Sequence, residues 1–336
     1  MVGLEIFRFI YASERCGHIM IGGLPDAALL CIGLILLVFG GEAVVQGSMK
    51  IADHFGMPSF LVGFTLVAIG TSLPELGVVL NALSRGTEES VDLAVGGVVG
   101  SNIANVMLVL SIAMILGATS KPDKNLREDT LMLLVATGVI LGATLLGEFP
   151  VWLGVMSIVT MGAYFAYILK TREEGSGDEG GSWVPGGMGI ASIAFIGGLV
   201  LVKYGSDFLI EGGEGVAISI GVPETVIGLT LVAFGTSLPE LAVTITASLR
   251  GVQGVAVGNI LGSNVANVMA VLSIGSIVGG GVGIADSFMD LDIWVLLASS
   301  GLVAFSILIG KGLSRPLGGL MLVGYAAYII RLFMGS

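Results

Sequence analysis

Charge is what this sequence has least of. Asp, Glu, Lys and Arg make up 12% of its 336 residues, about half the share found in a soluble domain, whereas 54% are hydrophobic and the mean hydropathy is +1.00. Lipid is therefore the main solvent of this chain. Cysteine is almost missing too: Cys16 and Cys31 support neither a disulfide framework nor a thiolate metal cluster. Histidine is confined to His18 and His54, at or outside the ends of the apolar runs. No grouping of nucleophile, base and oxyanion donors lies within those runs, so neither an enzyme nor a cofactor is expected. Basic residues are outnumbered 14 to 25, and the formal charge of −11 argues against a nucleic-acid partner.

What is abundant is glycine, with 54 residues. In a membrane, small residues let helices approach closely. Spans of about 20 mostly apolar residues occur ten times, near 26–48, 58–83, 93–117, 128–147, 149–170, 188–212, 222–248, 255–281, 289–310 and 314–333. The expected fold is an all-α polytopic membrane protein, with the bilayer as its partner and no obligate protein partner in evidence. The acids fall mostly between the spans, at Glu88, Glu89 and Asp92, at Glu173, Glu174, Asp178 and Glu179, and at Asp286, Asp290 and Asp292, and read as a solvated surface.

The segment KTREEGSGDEGGS (170–182) is the one linker rich in glycine, serine and charge. It divides the chain into an N-terminal extension (1–25), a first five-helix unit (26–170), a cytoplasmic linker (171–187) and a second five-helix unit (188–333). Residues 1–19 carry Glu5, Arg8, Glu14 and Arg15 and are no secretory signal; translation is expected to start at Met20.

Basic residues give the orientation. With the N-terminus outside, the inner loops hold Lys50, Lys121, Lys124, Arg127, Lys170, Arg172, Arg250, Lys311 and Arg315, and the outer segments hold Arg85 and Arg331. Arg8 and Arg15 lie in the extension, and Lys203 lies inside a span. Both termini are expected outside and the linker in the cytoplasm, at the cell membrane.

The two units are copies. LVGFTLVAIGTSLPEL (61–76) matches VIGLTLVAFGTSLPEL (226–241) at an offset of 165, which also aligns Gly40 with Gly205, Glu42 with Asp207 and Gly47 with Gly212. AVGGVVGSNIANVM (94–107) matches AVGNILGSNVANVM (256–269) at an offset of 162. Five spans per copy is an odd number, so the second copy enters the membrane from the opposite side. Inverted repeats of this kind build secondary transporters with ion sites near the midplane.

Each copy places one glutamate in an apolar span, Glu75 and Glu240. An ionisable group at the bilayer centre costs about 2.5–3.5 kcal/mol even on the lenient insertion scale and is tolerated where it binds something. Thr71 and Ser72 precede Glu75 by one helical turn, as Thr236 and Ser237 precede Glu240. Pro74 and Pro239 lack an N–H and loosen the carbonyls of the preceding turn. The second motif adds Ser101 and Asn105, and Ser263 and Asn267. Two carboxylates, two amides, hydroxyls and bare carbonyls are all hard donors, suited to Ca²⁺, Na⁺ or similar cations.

At the paired GTSLPE (70–75, 235–240) and GSN-x-x-N (100–105, 262–267) motifs, the chain resembles the sodium/calcium exchanger branch of the cation/calcium exchanger superfamily. The resemblance implies a ten-helix fold in which the first helix of each repeat slides against the other eight, exchanging Na⁺ for Ca²⁺ by alternating access. It implies Ca²⁺ ligation by Glu75 and Glu240 with the carbonyls of Thr71 and Thr236. The Na⁺ sites would use the same glutamates with Ser72, Ser237, Ser101, Ser263 and the carbonyls of Ala68 and Ala233; Asn105 and Asn267 would complete the centre. Where the family often has Gly-Asn before the second motif, the second copy keeps Gly258–Asn259 but the first has Gly96–Gly97. Asn267 stands where potassium-dependent members carry aspartate, so no K⁺ requirement is expected. The nearest alternative is a Ca²⁺/H⁺ antiporter of the same superfamily. Those typically carry GN-x-x-E in place of GTSLPE. A channel or a non-transporting scaffold would need neither broken helices nor paired acids.

Overall fold

The computed structural model describes residues 25–119, 123–172, 182–220, 235 and 237–335. The N-terminal extension, most of the linker and the first part of the seventh span, with Ala233 and Thr236, lie outside the described residues. The helices are α1 (Asp26–Phe55), α2 (Ser59–Arg85), α3 (Glu88–Leu116), α4 (Lys124–Leu146), α5 (Val151–Thr171) and α6 (Met188–Ser219). They continue with α7 (Leu238–Leu249), α8 (Gln253–Gly279), α9 (Asp292–Leu308) and α10 (Arg315–Gly335). Of these, α1 to α6 and α8 are each long and apolar enough to cross a bilayer. The protein is an all-helical membrane protein.

Helix ends depart from the apolar runs in an instructive way. α1 continues to Phe55 and α6 to Ser219, well past the apolar stretches, because Lys50, Asp53, Glu211 and Glu214 end a hydrophobic run without ending a helix. At 1.5 Å per residue, these helices of 30 and 32 residues exceed a hydrocarbon core of about 30 Å. Such lengths are accommodated by tilt or by projection beyond the core. Glu88, Glu89, Asp92 and Asp292, read as loop acids, instead lie in the opening turns of α3 and α9, where the helix dipole favours negative charge. Between α2 and α3 the chain reverses in two residues: Gly86 takes a positive φ of 67° and the Thr87 hydroxyl caps α3 by accepting the Ser90 N–H.

α1 and α6 form an antiparallel pair along a glycine seam. Gly33 meets the backbone at Gly205 and Leu209, and Gly40 meets it at Gly198 and Val202, with no room for a Cβ on either side. Association in lipid depends on such close van der Waals approach. The outer faces, including Val38 and Phe39 on α1 and Ile193 and Ile196 on α6, are exposed apolar surface for lipid.

The remaining helices surround α8, whose Val255–Ala266 stretch is wholly buried. A two-residue ribbon ties two connections on one side: β1 (Glu148–Phe149) pairs antiparallel with β2 (Val282–Gly283). Matched bonds brace the fourth and fifth helices of each unit. Tyr164 donates to Asp129 on α4 at 2.5 Å, and Tyr328 donates to Asp292 on α9 at 2.6 Å. Asp129 is also held by Arg172 Nη2 at 2.5 and 2.6 Å. Glu42 of α1 accepts from Arg250 at 2.8 Å and from the Trp183 indole at 3.1 Å.

Candidate ion-binding site

Both motifs interrupt their helices, and they do so alike in the two copies. α2 passes through a π turn at Gly63–Val67, resumes for Ala68–Thr71 and breaks at Ser72, with φ −86° and ψ 0°. Ser237 has nearly the same conformation, φ −95° and ψ 3°. A fresh helix then begins, with Pro74 and Pro239 in its first turn where their missing N–H costs nothing. Glu75 and Glu240 sit in those first turns, at the positive end of the dipole. In the other motif, Asn105 and Asn267 each open a π turn (Asn105–Val109 and Asn267–Leu272). π turns leave backbone groups outside the regular ladder and recur at functional sites.

The motif residues meet at one buried centre. Glu75, Glu240, Thr71, Ser72, Ser101, Asn105, Ser237, Ser263 and Asn267 are all at most 3% exposed. The contacts cross between halves. Thr71 bonds Asn259 Oδ1 at 3.3 Å and lies 3.4 Å from the Ser263 hydroxyl. Ser237 donates to Ser101 at 3.3 Å, and Ser101 in turn donates to Glu75 Oε1 of its own half at 3.4 Å. Each GTSLPE segment thus faces the GSN-x-x-N segment of the other half. The break at Ser72 turns the Thr71 hydroxyl onto the second copy, whereas an unbroken helix would keep it on Glu75's own face. Ala68 O accepts from Ser72 N at 3.1 Å and from the Thr71 hydroxyl at 3.3 Å. Thr236 and Ala233 lie outside the described residues.

The centre is rich in polar atoms without hydrogen-bond partners. Glu75 Oε2, both carboxylate oxygens of Glu240, Ser72 Oγ, Asn267 Oδ1 and both amide atoms of Asn105 are buried and make no hydrogen bond. Leaving such a group unsatisfied costs about 1–3 kcal/mol, and more if it is charged. Among the described residues no three His, Cys, Asp or Glu side chains gather as a metal cluster. Two carboxylates with neutral oxygens around them suit hard cations that come and go.

Comparison with known proteins decides the family. The sodium/calcium exchanger protein family matches residues 26–170 and 190–334, nearly the whole chain in two blocks. The chain belongs to that family. A membrane protein of Methanocaldococcus jannaschii is 35% identical over 251 residues, covering 73% of this chain and 80% of its own. The sodium/calcium exchanger MaX1 of Methanosarcina acetivorans is 26% identical over 345 residues, covering 91% and 97%. Among solved structures, the sodium-calcium exchanger NCX_Mj soaked with Na⁺ and Ca²⁺ superposes with a TM-score of 0.75 at 30% identity, over 91% of this chain and 97% of that one. As a family member the chain is a cation/calcium exchanger, with ions as its cargo.

Three polar groups that complete the exchanger's centre escaped the sequence reading of it. Asn102 and Asn264 exchange amide bonds to each other's backbone carbonyls, at 3.2 and 3.1 Å, and so join α3 to α8 about a local twofold. Their equal position in the two GSN triplets was the available signal. Thr244 accepts from Asn259 Nδ2 at 3.1 Å. At the 165 offset its counterpart is Val79, just as Gly97 is the counterpart of Asn259 at 162, so both members of that bond are replaced together in the first copy.

Proposed function

We propose that this exchanger moves Na⁺ against Ca²⁺ across the membrane by alternating access, without K⁺. It would do so as ten helices in two inverted units, 26–170 and 188–333, with both termini outside and the linker cytoplasmic. In this reading Glu75 and Glu240 hold Ca²⁺, with the carbonyls of Thr71 and Thr236. Ser72, Ser237, Ser101 and Ser263, the carbonyls of Ala68 and Ala233 and the same two glutamates serve Na⁺, and Asn105 and Asn267 line the centre. One observation carries the reading: unpartnered buried oxygens gather on the two motif copies, where a bound cation would compensate two carboxylates. Two carboxylates balance one Ca²⁺, and Na⁺ can occupy the same oxygens, so occupancy is mutually exclusive. An emptied anionic site would leave charge in low dielectric at a cost of several kcal/mol, which favours return with a counter-ion.

The test is ⁴⁵Ca²⁺ uptake into proteoliposomes under an imposed Na⁺ gradient and, separately, an imposed H⁺ gradient. Uptake driven by Na⁺ alone, equal with and without K⁺, is expected. Uptake driven only by the proton gradient would replace this reading with Ca²⁺/H⁺ exchange.

A further inference from the structure

α6 turns one stripe of residues toward the ion site. Leu199 packs on Gly70 of the first GTSLPE segment, and Ile210 packs on Gly235 of the second. Lys203 and Asp207 fall between them at steps of four, four and three residues, so all four share one helix face. Lys203 Nζ lies 2.5 Å from both carboxylate oxygens of Asp207. The pair is 44% and 25% exposed even though Lys203 stands at the middle of a 32-residue helix. Charged groups at such depth are rare and pair with one another, as these two do. The repeat offset of 165 and the antiparallel α1–α6 register cross between Val202 and Lys203. Lys203 is within about 1 Å of that crossing along the helix. The contact of Leu199 with Gly70 sets Lys203 one helical turn from the segment that carries Glu75.

We propose that Lys203 is a tethered cation of the ion path, resting on Asp207 while the central site holds transported ions and moving to the Glu75 carboxylate when they leave. The inference rests on the exchange reading of that site. A lysine ammonium is a compact point charge on a flexible four-carbon stem, suited to exchange between two carboxylates on facing elements. Glu75, Glu240, Asp207 and Lys203 together carry two net negative charges. One Ca²⁺ neutralises the set, and Lys203 covers part of the deficit when the ion departs. At the 165 offset the matching residue of α1 is Val38, so the device is built into one half only.

Calorimetric Ca²⁺ titration of the purified full chain tests this. Lys203→Met removes the competitor and should tighten Ca²⁺ binding by about tenfold. Asp207→Asn frees the ammonium to compete and should weaken binding by about the same factor. Two remote charges acting independently would also give those opposite signs, so the double variant K203M/D207N decides. It should bind like K203M, because Asp207 acts only through Lys203. Wild-type affinity in the double variant would overturn the tethered role, as would unchanged affinity in K203M, and either result leaves the exchange reading standing. A wild type that binds no Ca²⁺ overturns both. If K203M does not elute as a monodisperse species, Lys203→Gln keeps the stem length and polarity and is read in the same way.

Discussion

Asn259 offers the sharpest test of how the two halves hold each other. Its side chain is fully buried and spans the centre. Nδ2 donates to Thr244 at 3.1 Å, and Oδ1 accepts from Thr71 at 3.3 Å. A third contact, to the Glu240 carbonyl at 3.5 Å, is too long to count as a strong bond. Each good bond contributes a net of about 0.5–1.5 kcal/mol, so Asn259→Ala should cost about 1–3 kcal/mol. Because Thr71 then keeps only the longer contact to Ser263 in the second half, at 3.4 Å, most of this should fall on the ion-bound state and weaken Ca²⁺ binding by about tenfold, the equivalent of 1.4 kcal/mol. The double variant N259A/T244V mimics the first copy, where Gly97 and Val79 stand, and leaves no orphaned hydroxyl at Thr244. It should cost about 1 kcal/mol less than the sum of the single changes, as neighbours in one network do. Thermal unfolding and Ca²⁺ titration of all four proteins measure the cycle. Strictly additive costs with unchanged Ca²⁺ affinity would refute the reasoning and leave Asn259 a packing residue.

Glu75→Gln or Glu240→Gln should abolish Ca²⁺ transport in proteoliposomes while the protein still inserts and elutes as the wild type; normal uptake by either variant removes that residue from the site. Gly40→Leu drives a side chain into the backbone at Gly198 and Val202, and overpacking of this kind should cost about 1–3 kcal/mol, read as a lower melting temperature in detergent. Arg172→Ala strips from Asp129, which is wholly buried, the one cation paired with it among the described residues, and leaving that charge unpaired should cost about 3–5 kcal/mol. A melting temperature within a degree of the wild type would contradict the inward burial of that pair.

Helices were legible because lipid demands long apolar runs, and the breaks at Ser72 and Ser237 were legible because Pro74 and Pro239 mark them. Helix ends were less so, since Lys50 or Glu214 can continue a helix beyond the bilayer core, and Glu88 or Asp292 can begin one. The residue types of the site were readable from GTSLPE and GSN-x-x-N, but their partners were not. Thr71 meeting Asn259 and Ser263 depends on how α2 crosses α8, over a separation of nearly two hundred residues for which no local pattern exists. Tyr164 and Tyr328 were passed over because an aromatic residue in an apolar span resembles lipid-facing filler until its hydroxyl is seen on Asp129 or Asp292. Lys203 was visible as a charge within a span, but its pairing with Asp207 required the helix face.

The glycine seam between α1 and α6 has a consequence for timing. With no side chain between their backbones along the seam, the two helices make a single stiff rod. That rod carries two stoppers, Leu199 against Gly70 and Ile210 against Gly235, whose spacing of eleven residues is about 16 Å at 1.5 Å per residue. On the proposed sliding of these helices, the stoppers cannot move independently. In that proposed motion, withdrawing one would advance the other, so the two ends of the proposed ion path would be interlocked by a fixed length and need no signal passed between them.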